Sequence, residues 1–472
     1  METTIDNDGW LDQLIRSSPP DDDLACWIPL PLLARECPRL QQLTVRSCVH
    51  VVGCFCNAHL LRLVAGCTFI RVLKVELAPQ SAMSIEEDRA LPTSCLDDTA
   101  LEALSTLTGL EELELCEAAN FTNAGMQALA RCPSLRSLSL GGLSARSWQY
   151  PAEQLPSDAP HRRYTEQCIG QVSDVGFAAL SRSASLTSLT VHNSPLLTGT
   201  ALHALAYCQG LTRLELSHCP NLVGIAPQRD AWPRLETLVS SDNGWDSLDG
   251  LASCLSLRHL SMDNGKIQDL APLESCSKLR ALKLFRCGIR TPGWPYDHAA
   301  IPGLQRLEAL LRGCNQLERV DLSHSAVPAA AMGMIAGCVA LRVLILDHTR
   351  VADGTWYGRA MQDAELLPLA ACRSLRFLSA DLNSDRKGPS EEVRRHLIAA
   401  LSRLQICPAP LRMSSDGRQQ SARIPIYFEA GGHQFWNSPY QRGLDIFTGL
   451  KVTSSNGRGS DVMSWEDFFR MC

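Results

Sequence analysis

The feature that most constrains this chain is a pattern, Cys-x-x-Leu-x-x-Leu-x-Leu, that recurs along most of its length. It stands nearly intact as Cys132-Pro-Ser-Leu135-Arg-Ser-Leu138-Ser-Leu140 and as Cys208-Gln-Gly-Leu211-Thr-Arg-Leu214-Glu-Leu216. Twelve copies align on their central apolar residues, Leu43, Leu73, Leu113, Leu138, Leu189, Leu214, Leu238, Leu260, Leu282, Val320, Leu344 and Leu378, with shortest spacings of 22 to 25 residues. Leu-x-Leu is a period-two strand whose leucines face inward and whose intervening residue faces outward. Between strands the periodicity turns helical, as in Thr122-Asn-Ala-Gly125-Met-Gln-Ala-Leu129 and Asp174-Val-Gly176-Phe-Ala-Ala-Leu180, where Thr122 or Asp174 can cap the helix start. A unit this small cannot cover its own apolar face, so the copies must stack.

The pattern resembles the cysteine-containing subclass of leucine-rich repeats, in which the strand motif alternates with a Thr/Ser-Asp-x-Gly helix start such as Ser173-Asp-Val-Gly176. The resemblance runs from Cys37 to about Leu382 and implies an α/β leucine-rich-repeat solenoid, curved, with a parallel concave sheet and convex helices. The subclass is best known from substrate-recognition subunits of cullin-based ubiquitin ligases, which carry an F-box ahead of the repeats. No clear F-box is recognisable in residues 1–36; Leu24 to Leu40 offers a degenerate candidate, while Pro31-Leu-Leu-Ala-Arg-Glu-Cys37 also reads as a first repeat helix.

Nine of the 20 cysteines share one repeat phase: Cys37, Cys67, Cys132, Cys208, Cys254, Cys276, Cys314, Cys338 and Cys372. Equivalent positions of a ladder lie a repeat apart in matched orientation, which suits small buried thiols in a reducing compartment better than disulfides. Cys48, Cys54, Cys56 and Cys67, with His50 and His59, form the one dense group, but its gaps lack paired zinc-ligand spacing, so no metal or cofactor is expected. No P-loop, Gly-x-Ser-x-Gly or His-Glu-x-x-His motif is present, and His192, His218, His259 and His324 have no consistent carboxylate or nucleophile beside them. These observations predict a protein that is not an enzyme.

The formal charge of -6 provides no basic field for phosphate backbones. No stretch approaches the roughly 18 apolar residues of a membrane span, and the acidic first residues do not read as a leader. A soluble, cytoplasmic protein is expected, with nuclear or cytoskeletal association as variants of that reading.

The expected organisation is an acidic N-terminal segment and cap (1–36), a solenoid (37–404) and an aromatic-rich C-terminal cap or interaction module (405–472). The last holds nine of the chain's 27 aromatics, with Ile424 to Phe428 and Gly449 to Thr453 as strands and Ser464 to Arg470 as a helix. Insertions near 76–97, 141–171, 285–305 and 347–366 all leave the array just past a strand. Trp148, Tyr150, Arg162 and Arg163, then Trp294 and Tyr296, then Trp356 and Tyr357 with Arg359, form a candidate aromatic and basic rim; each aromatic could equally fold its own loop onto the array.

The register also lists the outward strand residues. The early strands present polar side chains, whereas the later ones present Lys283, Phe285, Arg319, Asp321, Val343, Ile345, Phe377 and Ser379, whose apolar members are expected to be exposed as a cluster and to contact a partner. Arg258, Arg280, Arg342 and Arg376 precede these strands at one phase, and Asp263, Asp347 and Asp381 follow them, giving a basic and an acidic edge. The leading reading is a non-enzymatic protein-interaction scaffold in a larger intracellular assembly, holding one or more proteins by its concave face and loop rim. The alternatives are an F-box-like ligase substrate receptor and, more weakly, an RNA-contacting subunit using Arg162, Arg163 and the aromatic loops.

Overall fold

A computed structural model of the chain describes residues 2–5, 39–47, 57–77, 96–116, 121–141, 171–224, 231–263, 267, 269–287, 304–352, 359–380, 389–407, 444–445, 449–453 and 460–463. Two compact units result, Met1–Thr237 with Asp242–Gly244, and Leu238–Ser241 with Trp245–Cys472. Both have the leucine-rich-repeat fold.

In the first unit, β1 (Glu2–Ile5), β2 (Gln42–Ser47), β3 (Val72–Leu77), β4 (Glu112–Cys116), β5 (Ser137–Gly141), β6 (Ser188–His192) and β7 (Arg213–Ser217) pair in parallel, each with the next. The register sets Leu43, Leu73, Leu113, Leu138, Leu189 and Leu214 side by side, so the repeat phase read from the sequence is the physical ladder. All six are at most 1% exposed, and each buried leucine contributes about 2 kcal/mol. Parallel neighbours need crossovers, supplied by α1 (Asn57–Gly66), α2 (Asp98–Leu104), α3 (Asn123–Leu129), α4 (Asp174–Leu180) and α5 (Gly199–Leu205).

The boundary between the units falls in β8 (Thr237–Ser241). In the second unit β9 (His259–Asp263), β10 (Ala281–Phe285) and β11 (Arg319–Asp321) continue the parallel pattern, aligning Leu260, Leu282 and Val320. A separate small sheet contains β12 (Ala326–Pro328). The main ladder passes on to β13 (Val343–Ile345), and β14 (Arg350–Ala352) pairs in parallel with β12 and antiparallel with β15 (Arg359–Ala360). The ladder then reaches β16 (Phe377–Ser379) and β17 (Gln405–Cys407). The array thus extends one strand past the expected end at Leu404. In the C-terminal region β18 (Leu444–Asp445), β19 (Gly449–Thr453) and β20 (Ser460–Met463) form an antiparallel sheet, with a strand where Gly449 to Thr453 was expected. The expected strand at Ile424 and helix at Ser464 lie outside the described residues.

The shortest repeats have 3-10 crossovers. The 22-residue steps from Leu238 to Leu260 and to Leu282 are crossed by 3-10 turns, Asp249–Leu251 and Ala271–Ser275. A 3-10 turn rises about 2.0 Å per residue against 1.5 Å for an α-helix, so fewer residues cover the distance. Longer repeats use α6 (Leu307–Gly313), α7 (Ala331–Ala336) and α8 (Glu391–Ala400). Asp363–Ala371, which holds Pro368, is again 3-10.

Two polar ladders join neighbouring repeats. At the helix starts, the Asp98 carboxylate accepts from the Thr122 N–H at 2.8 Å and from its hydroxyl. Asn123 Oδ1 accepts from the Ser173 and Gly176 N–H groups, each at 3.0 Å, and Asp174 accepts from the Thr198 N–H at 2.8 Å and its hydroxyl at 2.6 Å. Thr122 and Thr198 also cap their own helices, whereas Asp174, expected as a cap, serves the next repeat while Ser173 occupies the cap position. The signature glycine is required by the same contact: a Cβ on Gly176 would stand 2.7 Å from Asn123 Oδ1.

The second ladder is the cysteine column. Cys67, Cys132, Cys208, Cys254, Cys276, Cys314, Cys338 and Cys372 are all buried, and none is in a disulfide. Thiols donate to carbonyls of preceding repeats, Cys208 to Leu180 at 3.7 Å, Cys314 to Leu273 at 3.4 Å and Cys372 to Cys338 at 3.6 Å. Burial pushes Cys208 and Cys276 up to about 11 and Cys254 and Cys314 up to about 12. Cys37 lies outside the described residues.

Candidate functional site

The side of each sheet that faces away from the leucines is where a solenoid of this kind can meet a partner. In the first unit that face is laced with its own ion pairs. Arg71 meets Glu111 at 2.5 Å, Lys74 reaches Glu112 at 2.9 Å and Glu114 at 3.7 Å, and Arg213 meets Glu215 at 2.9 Å. His192 bonds Ser217 through Nδ1, and His218 lies 3.4 Å from Asp242.

In the second unit, register places Ala281, Arg319, Val343 and Phe377 in one row and Lys283, Asp321, Ile345 and Ser379 in the next. The strand residues expected to cluster are lateral neighbours. The expected exposure of the apolar ones is corrected: Phe285 is 3% exposed, Val343 0%, Ile345 4% and Phe377 2%. Neighbours in a parallel ladder stand only about 4.8 Å apart, so longer side chains shelter shorter ones. Val343 sits between Arg319 and Phe377, Ile345 between Asp321 and Ser379. Phe285 lies beneath His324 (5.0 Å between ring centroids), the Lys283 ammonium (5.6 Å) and the Arg286 guanidinium (5.4 Å). These apolar residues form the floor of the face.

Its upper layer comes from a position the sequence reading passed over. Four residues past six of the central apolar residues the backbone is left-handed: Asn193 (φ 56°), His218 (55°) and Asp242 (52°) in the first unit, Arg286 (54°), His324 (58°) and His348 (54°) in the second. Asn, Asp and His adopt this region more readily than most residues, and the available signal was their recurrence at one phase. The His324 N–H donates to the Asp347 carbonyl at 2.8 Å, and the Arg286 N–H to that of Ser323 at 3.2 Å. That ladder stacks His324 on His348, 4.7 Å between centroids. His324, for which the sequence showed no catalytic neighbour, is thus the centre of a Phe285–His324–His348 ring cluster.

The acidic edge is also corrected. Asp263 is 6% and Asp347 4% exposed, and outward-facing Asp321 is 7% exposed; Asp381 is outside the described residues. Asp321 accepts from the Ser323 N–H at 2.9 Å and hydroxyl at 2.5 Å, and Asp347 from the Ser379 hydroxyl at 2.9 Å. Burial holds the Asp321 carboxyl above the usual range, with the Lys283 charge and the Ser323 bonds opposing it and Asp347 adding to it. Asp321 and Asp347 are sunk while each backs a hydroxyl donor in the same face.

Of the other expected contact residues, Trp148, Tyr150, Arg162, Arg163, Trp294, Tyr296, Trp356 and Tyr357 lie outside the described residues. Arg359 is engaged locally: its guanidinium grips Glu365, which also accepts from the Gln362 N–H at 2.7 Å. Among the described residues no group of three or more His, Cys, Asp or Glu side chains could hold a metal ion. No helix among them is long and apolar enough to cross a membrane.

No family model matches the chain. A rice (Oryza sativa subsp. japonica) protein described as an F-box/LRR-repeat MAX2 homolog is 28% identical over 225 residues, 44% of this chain and 30% of the rice protein. The chain therefore spans under a third of that relative's length. Similar solved structures include an internalin of Listeria monocytogenes (16% identity, 75% of this chain, 94% of that chain, TM-score 0.37). Others are a leucine-rich-repeat protein of Leptospira interrogans (13%, 86%, 100%, TM-score 0.37) and a chain of the yeast Rad7 and Elc1 complex (14%, 80%, 77%, TM-score 0.41). The repeat region resembles that of F-box/LRR proteins.

Proposed function

We propose that this chain is a non-enzymatic, cytoplasmic protein-interaction scaffold within a larger assembly, holding a partner on the open sheet face of its second unit. The observation that carries this reading is the Phe285–His324–His348 ring cluster with Lys283 and Arg286 around it. Aromatic and cationic groups over an apolar floor, fixed by a hydrogen-bonded backbone, lose little freedom on binding. Arg319, Val343, Ile345 and Phe377 belong to this site as support, and the rim of Trp148, Tyr150, Arg162, Arg163, Trp294, Tyr296, Trp356 and Tyr357 would extend it.

The test is co-purification of tagged full-length protein from its own cells, compared with a K283A/H324A/H348A variant. Loss of the partner set from the variant supports the reading; an unchanged set removes the face from it. A second reading, a substrate receptor of a cullin-RING ubiquitin ligase, is favoured by the 28% identity with a protein described as F-box/LRR. It requires a cullin adaptor to co-purify and to be lost when residues 1–36 are removed.

A further inference from the structure

The expected basic edge is a charged feature of the second unit that the site above does not use. Its residues form consecutive rungs of the second unit's ladder: the Arg280 N–H donates to the Arg258 carbonyl at 2.8 Å, Glu318 to Arg280 at 2.8 Å, Arg342 to Glu318 at 2.7 Å, and Arg376 to Arg342 at 2.9 Å. Five rungs at about 4.8 Å cover about 19 Å, with four arginines against one glutamate. Arg319 adjoins them on the same strand as Glu318.

Compensation is slight at the later rungs of this edge. Glu318 meets Arg280 only at 4.0 Å, and Arg342 and Arg376 have no side-chain hydrogen bond or ion pair among the described residues. The carboxylates of the same face, Asp263, Asp321 and Asp347, are buried toward the other end of the strands. In the first unit the same phase reads Gln41, Arg71, Glu111, Arg136, Thr187, Thr212 and Glu236, and there Arg71 is held by Glu111 at both 2.5 Å and 3.1 Å. The phase therefore does not need arginine for folding; the second unit concentrates it.

We infer that this arginine edge docks an extended acidic segment of a partner protein, an inference that rests on the protein-binding reading above and names the partner's chemistry. Guanidinium groups pair with carboxylates in a planar, two-point geometry. Alternate residues of an extended chain stand about 6.7 Å apart, so three or four carboxylates fit along the row. A single-stranded nucleic acid fits less well: it stacks its bases on exposed aromatic platforms, and the phenylalanines of this face, Phe285 and Phe377, are 3% and 2% exposed, which leaves only the half-buried His324 and His348 rings.

The test measures fluorescence anisotropy of a labelled decapeptide of alternating glutamate and serine, titrated with full-length protein at low ionic strength. Lysine–serine and oligouridine probes of the same length serve as comparisons. The expected result is binding of the glutamate peptide alone, weakened roughly tenfold or more in R342E/R376E. R312E/R395E, the same charge change on helices α6 and α8, should bind as the wild type does, and thermal melts confirm that both variants fold. Absence of glutamate-peptide binding, equal weakening in both variants, or tighter binding of oligouridine overturns the inference. Co-purification separates the two claims. A partner set unchanged by R342E/R376E defeats the arginine edge and leaves the protein-binding reading standing, whereas a wild-type protein that recovers no partner defeats both.

Discussion

Replacing Asp174 by alanine tests whether the helix-start ladder, and not leucine packing alone, holds successive repeats together. The carboxylate accepts two bonds from Thr198, at 2.8 Å and 2.6 Å, across a repeat boundary. Hydrogen bonds to a charged group contribute about 1.5–3 kcal/mol each when buried; this pair is part-buried, so D174A should cost about 2 kcal/mol in total. Asparagine already occupies the equivalent position one repeat earlier, where Asn123 Oδ1 accepts from Ser173 and Gly176. D174N should therefore keep the bond from the Thr198 N–H and lose about half as much. Urea denaturation followed by far-UV circular dichroism measures both, with an unchanged m-value as the sign that the native and denatured states are otherwise alike. An Asp174→Ala protein within about 0.3 kcal/mol of wild type, or equal losses for Ala and Asn, would refute the reasoning.

Gly176→Ala should destabilise by about 1–3 kcal/mol, because its Cβ would meet Asn123 Oδ1 at 2.7 Å; the same urea titration reads it, and a neutral result would contradict the close approach. Native protein treated with iodoacetamide near pH 8 should leave Cys208, Cys254, Cys276 and Cys314 unmodified by peptide mapping, while unfolded protein reacts at all four. Their pKa values, raised from 9.0 to about 11 or 12, leave stability untouched below pH 9 and lower it as pH rises above, since the unfolded chain ionises first. Asp321 is likewise raised from 3.8, so its contribution is full in acid and lost as pH climbs through the native value. Asp321→Asn should flatten the melting temperature between acid and neutral pH without lowering it at neutrality; a uniform fall across that range would contradict this.

The register of the ladder was legible because two signals coincide, leucines at period two and a cysteine at fixed phase, and each remains visible in nearly every copy. Strand β17 was not legible, since Gln405-Ile406-Cys407 carries one aliphatic residue in place of the paired leucines, nor was β1, which is short and mostly polar. At the candidate site, alternation correctly put Phe285, Val343, Ile345 and Phe377 on the face away from the leucines. It could not say that they are covered, because their cover comes from other repeats: His324 is 39 positions from Phe285 and becomes its neighbour only through stacking. The polar ladder at the helix starts was half legible. Ser173-Asp-Val-Gly176 announced a helix start, but Asp174's partner lies in the next repeat, and a local capping argument assigned it to its own helix.

The measurement closest to the central claim is hydrogen–deuterium exchange on the full-length protein with and without its co-purified partner. The account predicts that protection on binding concentrates in peptides covering 281–287, 319–325, 343–349 and 376–380. Protection confined to the helices, or to the first unit, would contradict it.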